Sequence, residues 1–139
     1  MTLQGKVALV TGSTKGLGKA IVVCFASLGA DVVVNYSKDK VAADYVVEAA
    51  TTSGVKAISV QPDVSKVAEI DKLFKATLDT FGKIDIVVAN AGIEKVNIPV
   101  VDVTEEDFDL LFRINTKGFA PRFAATMLWL MSTMSFVLE

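Results

Sequence analysis

The sequence predicts an α/β chain built as a doubly wound parallel sheet with helices on both faces. Three observations carry that prediction. Short, wholly apolar runs alternate with longer segments of helical period, most junctions carry a glycine, and polar residues stand just past the carboxyl ends of the runs. Apolar runs without alternation suit strands covered on both faces, and crossovers long enough for a helix imply parallel pairing. The order βαβαβαβα gives a sheet of strand order 3-2-1-4, with a crevice where the order reverses between strands 1 and 4.

Val7 to Val10 form the first strand, and Gly12, Gly16 and Gly18 follow before the period turns helical. A strand, a glycine-rich turn and a helix N-terminus make a phosphate site, because free N–H groups and the helix dipole favour an anion. An ordinary βα turn whose glycines serve only sterics is the alternative. The first helix is expected from about Gly16 to Leu28, with Ile21, Cys24, Phe25 and Leu28 on its apolar face and Gly29 as its stop. Asp31 to Asn35 reads as the second strand. Ser37 is the expected cap of the next helix, whose stripe is Ala42, Tyr45, Val46 and Ala49. Lys56 to Val60 is the third strand. A strongly amphipathic helix begins at Ser65, with Val67, Ile70, Leu73, Phe74, Leu78 and Phe81 on one side and Gly82 at its end. Ile84 to Ala89 is the fourth strand. Thr104 with Asp107 approximates a capping box, opening a helix on which Phe108, Leu111, Phe112 and Asn115 share a face.

Composition narrows the chemistry. At 139 residues the chain is one domain, and a net charge of −2 suggests neither a nucleic-acid surface nor an acidic tail. The absence of histidine removes imidazole acid–base chemistry and most zinc sites. Lone Cys24 excludes an internal disulfide and is expected as a small buried hydrophobe. The N-terminus lacks the apolar segment of a signal peptide, so a cytoplasmic location is expected. Gly118 and Pro121 disturb the last helix, and Phe123 to Leu138 are sixteen uncharged residues. That stretch is shorter than the roughly 20 apolar residues of a membrane span, so a buried or sticky terminal helix is expected and no membrane anchor.

The spacing T-G-x-x-x-G-x-G from Thr11 to Gly18 resembles the short-chain dehydrogenase/reductase family, in which it opens an NAD(P)-binding Rossmann domain. Further motifs follow in the family's order. Asp63-Val64 stands after the third strand, where relatives hold the adenine. Asn90-Ala91-Gly92 follows the fourth, where it braces the central strand and lines the cofactor pocket. Ile114 to Gly118 is similar to the helix whose asparagine, here Asn115, supports a proton-relay water. The resemblance implies a truncated Rossmann-type sheet over residues 1–118 and an apolar tail over 119–139 that departs from the family. It also implies a cofactor site formed by Gly12, Ser13, Thr14, Lys15, Gly16, Leu17, Gly18, Asn35, Tyr36, Ser37, Asp63, Val64, Asn90, Ala91 and Gly92.

Charge argues the cofactor's flavour. An acidic residue ending strand 2 would bond the ribose hydroxyls and repel a 2′-phosphate, but neutral Asn35 stands there. Lys15 in the glycine turn and Lys38 beyond the strand complement a phosphate, so NADP(H) is expected over NAD(H). Relatives catalyse hydride transfer between a carbonyl and an alcohol with a serine and a Y-x-x-x-K pair, whose lysine lowers the phenol's pKa. No tyrosine follows Asn90. Tyr36 to Lys40 matches the spacing but follows strand 2, beside the adenosine end, and is read as a decoy. The chain is therefore expected to bind the dinucleotide and to act on a carbonyl or alcohol substrate only in a full-length form. A non-catalytic nucleotide-binding module, or one that pairs with its own copy or a full-length relative, is the alternative.

Overall fold

The computed structural model describes residues 2–95 and 97–117. Four strands, β1 (Val7–Val10), β2 (Asp31–Asn35), β3 (Ala57–Val60) and β4 (Ile86–Val88), form one parallel sheet of order β3-β2-β1-β4. Val7 pairs with Asp31, Ala8 with Ile86 and Val32 with Ala57. The helices are α1 (Gly16–Ser27), α2 (Lys40–Thr51), α3 (Val67–Phe81) and α4 (Glu105–Phe112). The expected doubly wound α/β class and strand order hold. The outer strands are shorter than their apolar runs, β4 most of all.

Side chains on a strand point alternately to its two faces, and the core divides accordingly. Ala8, Val10, Val32 and Val34 meet α1 and α2 through Val22, Ala26, Ala43, Val46 and Ala50. Leu9 and Val33 point the other way, into a second cluster with Ile70, Leu73 and Phe74 of α3 and with Ile84. The amphipathic reading of α3 holds for these three residues, and Gly82 closes the helix in a left-handed cap.

Two helix faces differ from expectation. Cys24 is exposed, not buried. The buried residues of α1 are Gly18, Val22 and Ala26, four apart, and at Gly18 the helix lies close against the glycine turn and Asn90. Apolar residues surround α1, so spacing alone allowed two stripes. In α2 the buried line is Ala43, Val46 and Ala50, and Tyr45 turns outward, where the Lys19 ammonium lies 4.6 Å from its ring centre. Asp39, not Ser37, caps α2: its carboxylate accepts the Ala42 N–H at 2.9 Å. Helix α3 starts at Val67 after Lys66, two residues later than the Ser65 expectation.

At the amino ends of the strands two carboxylates continue the ladder. Asp31 accepts the Lys56 N–H at 2.7 Å, and Asp85 accepts the Val7 N–H at 2.8 Å. Thr104 caps α4 by accepting the Asp107 N–H at 3.2 Å, while the Asp107 carboxylate pairs with Lys95. A π-turn over Arg113–Lys117 follows α4. No helix of the described residues is long and apolar enough to cross a membrane. The expectations for Gly118, Pro121 and the apolar tail over 119–139 lie outside the described residues.

Candidate functional site

The site is built on the turn after β1. Thr11 is buried, and its hydroxyl accepts the N–H groups of Asn90 and Ala91 at 3.1 and 3.0 Å and donates to the Val88 carbonyl at 3.3 Å. That hydroxyl is used up in holding the end of β4 against β1. Gly12 follows at φ 58°, and a Cβ there would lie 2.8 Å from the Ala91 Cα. A Cβ on Gly18 would lie 2.5 Å from the Asn90 amide nitrogen and 2.7 Å from the Gly12 carbonyl oxygen. Both positions therefore exclude side chains by contact with backbone or a braced amide. Asn90 completes the brace by donating to the carbonyls of Thr11 and Gly12 at 2.9 and 3.0 Å.

The opening of α1 is left unsatisfied by side chains. Lys15 precedes the helix in an extended conformation, makes no side-chain cap, and no acidic residue occupies the first turn. The first N–H groups and the positive end of the helix dipole thus lack a side-chain counterpart, the arrangement that accepts an anion. They border a crevice of about 630 Å³ at the carboxyl ends of the strands. It is lined by Gly12, Thr14, Lys15, Gly16, Leu17, Gly18, Asn35, Ser37, Asp63, Val64, Asn90, Ala91 and Gly92, so thirteen residues expected from sequence meet there.

Three expected residues do not line it. The Ser13 hydroxyl is fully buried, donates to the Val10 carbonyl at 2.8 Å and accepts the Asn35 N–H at 3.1 Å. Tyr36 is 7% exposed and its side chain packs into the α1–α2 cluster with Ala43 and Val46, because the side chain two positions beyond Val34 shares its face. Lys40, its partner in the Y-x-x-x-K spacing, is salt-bridged to Asp44. Asn115 stands behind the crevice wall. Its amide accepts the Ile93 N–H and donates to the Ile93 carbonyl, both at 2.9 Å, which anchors the loop after β4 to the turn after α4. Its side chain is thereby committed to Ile93.

Asn35 lines the crevice but has no amide group to spare. Its oxygen accepts the Gly12 N–H at 3.1 Å, and its nitrogen donates to the Val60 and Pro62 carbonyls at 3.3 and 2.9 Å. The Asn35 amide is thus committed to the protein, where the resemblance implies a cofactor-site residue. Ser37 is the next side chain that faces the opening.

Asp63 carries the main electrostatic feature of this end. Its partial burial opposes ionisation, yet bonds from Ser65 and the charges of Lys66 and Lys38 hold its carboxyl below the usual range. An adjoining cavity of about 490 Å³ opens past Ser37 and Asp63 between Lys66, Glu69 and Lys72. Sequence reasoning missed Lys66, Glu69 and Lys72, and also Pro62, Ile93, Glu94 and Ile114 in the crevice wall. Each lies within a few residues of a predicted one, so extending the strand-end windows would have found most of them. Among the described residues no cluster of acidic or thiol side chains could hold a metal ion.

Comparison with known proteins agrees with this geometry. The family model for short chain dehydrogenases matches residues 6–133. A hydroxynaphthalene reductase-like protein of Metarhizium majus is 47% identical over 117 residues, covering 84% of this chain and 43% of that protein. Versicolorin reductase 1 of Dothistroma septosporum is 44% identical over 116 residues, with 84% and 44% covered. A Serratia marcescens short-chain dehydrogenase/reductase, solved as a double mutant, superposes with a TM-score of 0.82 at 32% identity, over 91% of this chain and 50% of that one. The chain thus spans less than half the length of the curated relatives it matches. With its glycine turn, sheet order and crevice in place, it belongs to the short-chain dehydrogenase family, whose Rossmann-type members bind a nicotinamide dinucleotide.

Proposed function

We propose that this chain is the coenzyme-binding portion of a short-chain oxidoreductase and takes NADP(H) in preference to NAD(H). The observation that carries the reading is the uncapped, acid-free start of α1 opening into the crevice beside Lys15. In this reading the pyrophosphate lies on the N–H groups of residues 14–18, at the opening of α1, and the adenine lies against Asp63 and Val64. Lys15 and Lys38, with Ser37, meet the 2′-phosphate. No acidic side chain stands at the end of β2 to repel that phosphate. Asn90 braces the pyrophosphate turn, and Asn115 holds the loop on the nicotinamide side.

The reductase names of its relatives favour carbonyl reduction in a protein that also carries the serine and the Y-x-x-x-K pair. By itself this chain binds without turnover. Fluorescence titration should show saturable NADPH binding, several-fold tighter than NADH. Lys15→Glu should weaken NADPH by about ten-fold, the scale of a charge-assisted contact converted to repulsion. Failure of either nucleotide to bind defeats the reading. NADPH oxidation that depends on a carbonyl substrate and is abolished by Tyr36→Phe would instead make Tyr36 the catalytic phenol.

A second reading is favoured by one observation: Val100 and Val101 are each 88% exposed, and Phe108 and Phe112 about half exposed. This surface suits association with a longer family member or a second copy. Light scattering that gives a clean monomer, together with no co-purification of such a relative, would count against it.

A further inference from the structure

We infer that Asn35 is a positioning residue: it fixes the glycine turn and the Pro62–Asp63 rim relative to each other, and so sets the span that a dinucleotide must bridge. The inference rests on the reading of the crevice as the coenzyme site. Three bonds tie residue 35 to the turn. Its Oδ1 accepts the Gly12 N–H, its own N–H donates to the Ser13 hydroxyl, and its carbonyl accepts the Ser13 N–H at 3.0 Å. On the other side its Nδ2 donates to the carbonyls of Val60 and Pro62, while the Tyr36 N–H also reaches Val60. The partners lie 23 and 27 residues away in sequence, on opposite walls of the crevice. Asn35 is 2% exposed, so its amide serves the protein and not a ligand.

The chemistry demands an amide. One end faces an N–H and must accept; the other faces two carbonyls and must donate. Alanine does neither. An aspartate accepts from Gly12 but sets a second oxygen against the two carbonyls, which favours its protonated form. Once protonated it can accept at one oxygen and donate at the other, restoring part of the clamp. Among the described residues, the charged groups around the crevice include Lys15, Lys38, Asp63 and Glu94. Asp63 is held below the usual carboxylate range and the chain has no histidine, so the wild type supplies a steady baseline near neutrality.

The test measures residue-resolved hydrogen exchange without ligand, and calorimetric binding of NADP⁺, for the wild-type chain, Asn35→Ala and Asn35→Asp. In Asn35→Ala the Gly12 amide should exchange about ten-fold faster or more, and NADP⁺ should bind about ten-fold more weakly or worse. In Asn35→Asp the affinity relative to wild type should recover as pH falls from about 8 to about 5.5. The same pH series with NAD⁺, which has no 2′-phosphate to titrate or to be repelled by the new carboxylate, must show the same recovery. A folded Asn35→Ala that binds within about two-fold of wild type overturns the inference. So does a pH-independent ratio for Asn35→Asp, which also decides the matter if the alanine variant does not fold. If the wild type binds no NADP⁺, the coenzyme reading fails separately. The inferred clamp then stands or falls on whether Gly12 exchange accelerates in either variant.

Discussion

The centre of the sheet and its β4–α4 margin are held together by different forces. All four residues of β1 are buried and four of the five in β2, whereas every residue of β4 is only partly covered. Beyond Ile84 no described residue is buried. Strand β1 has a partner on each side and helices over both faces; among the described residues β4 pairs with β1 alone. What holds the margin is directional: the Asn115–Ile93 amide pair, the Lys95–Asp107 ion pair and the Thr104 cap. The strands beneath the glycine turn therefore stand on apolar burial, whereas the turn itself and the loop after β4 are held by polar contacts.

The largest effect expected from that contrast is at Leu9. It is fully buried in the cluster that α3 covers. Leu9→Ala should lower unfolding stability by about 3 kcal/mol, from lost transfer energy and the cavity left between β1, Val33 and Leu73. Urea unfolding monitored by circular dichroism would measure it. A loss under about 1 kcal/mol would mean that α3 collapses onto the gap, and that the central sheet is less rigid than its burial implies.

The same contrast explains what could be read from the sequence. Val7–Val10 and Asp31–Asn35 were legible as strands because a site covered on both faces selects apolar residues at every position. The parallel order followed from helical crossovers, and Gly12 and Gly18 from their spacing. Less legible was which way a uniformly apolar helix turns: Cys24 and Tyr45 fit a helical period as well as Val22 and Ala43 do. Least legible was the role of Asn35. An asparagine at a strand end looks alike whether it faces a ribose or binds Gly12, Val60 and Pro62, because those partners come from three separate segments. Tyr36 was misplaced for a related reason. The strand's alternation continues one residue past its last pair and carries the ring into the core.

A middle-sized effect is expected at Asp85, where the two regions are joined at the amino ends of β1 and β4. Its side chain is 17% exposed, accepts the Val7 N–H and faces the ammonium groups of Lys6 and Lys83 at 3.3 and 3.1 Å. Partial burial opposes its charge, but the Val7 N–H and the two lysines outweigh it and hold the carboxyl below the usual range. A carboxyl with a folded pKa below its unfolded value of about 3.9 stabilises fully above that pH. The contribution is lost as pH falls through the folded value. Asp85→Asn should therefore cost about 1 kcal/mol at neutral pH, with the difference from wild type shrinking below about pH 4. Denaturant midpoints at a series of pH values would show it. A difference that stays constant into acid would assign the loss to packing instead of charge.

The smallest effect on stability, and the sharpest test of the margin, belongs to Phe108. Its ring lies 4.4 Å from that of Phe112, yet it is 53% exposed and no residue of α4 is buried. A core phenylalanine replaced by a small residue costs about 3–5 kcal/mol. Here most of the ring already meets water, so Phe108→Ser should change unfolding stability by only about 0.5 kcal/mol. Its consequence should appear in association, because the substitution removes an exposed apolar ring that lies beside Phe112. Sedimentation across a concentration series should show less self-association for Phe108→Ser than for wild type. If the variant instead unfolds as readily as Leu9→Ala, α4 is covered in solution by part of the chain or by a second copy, and the margin is as deeply packed as the centre.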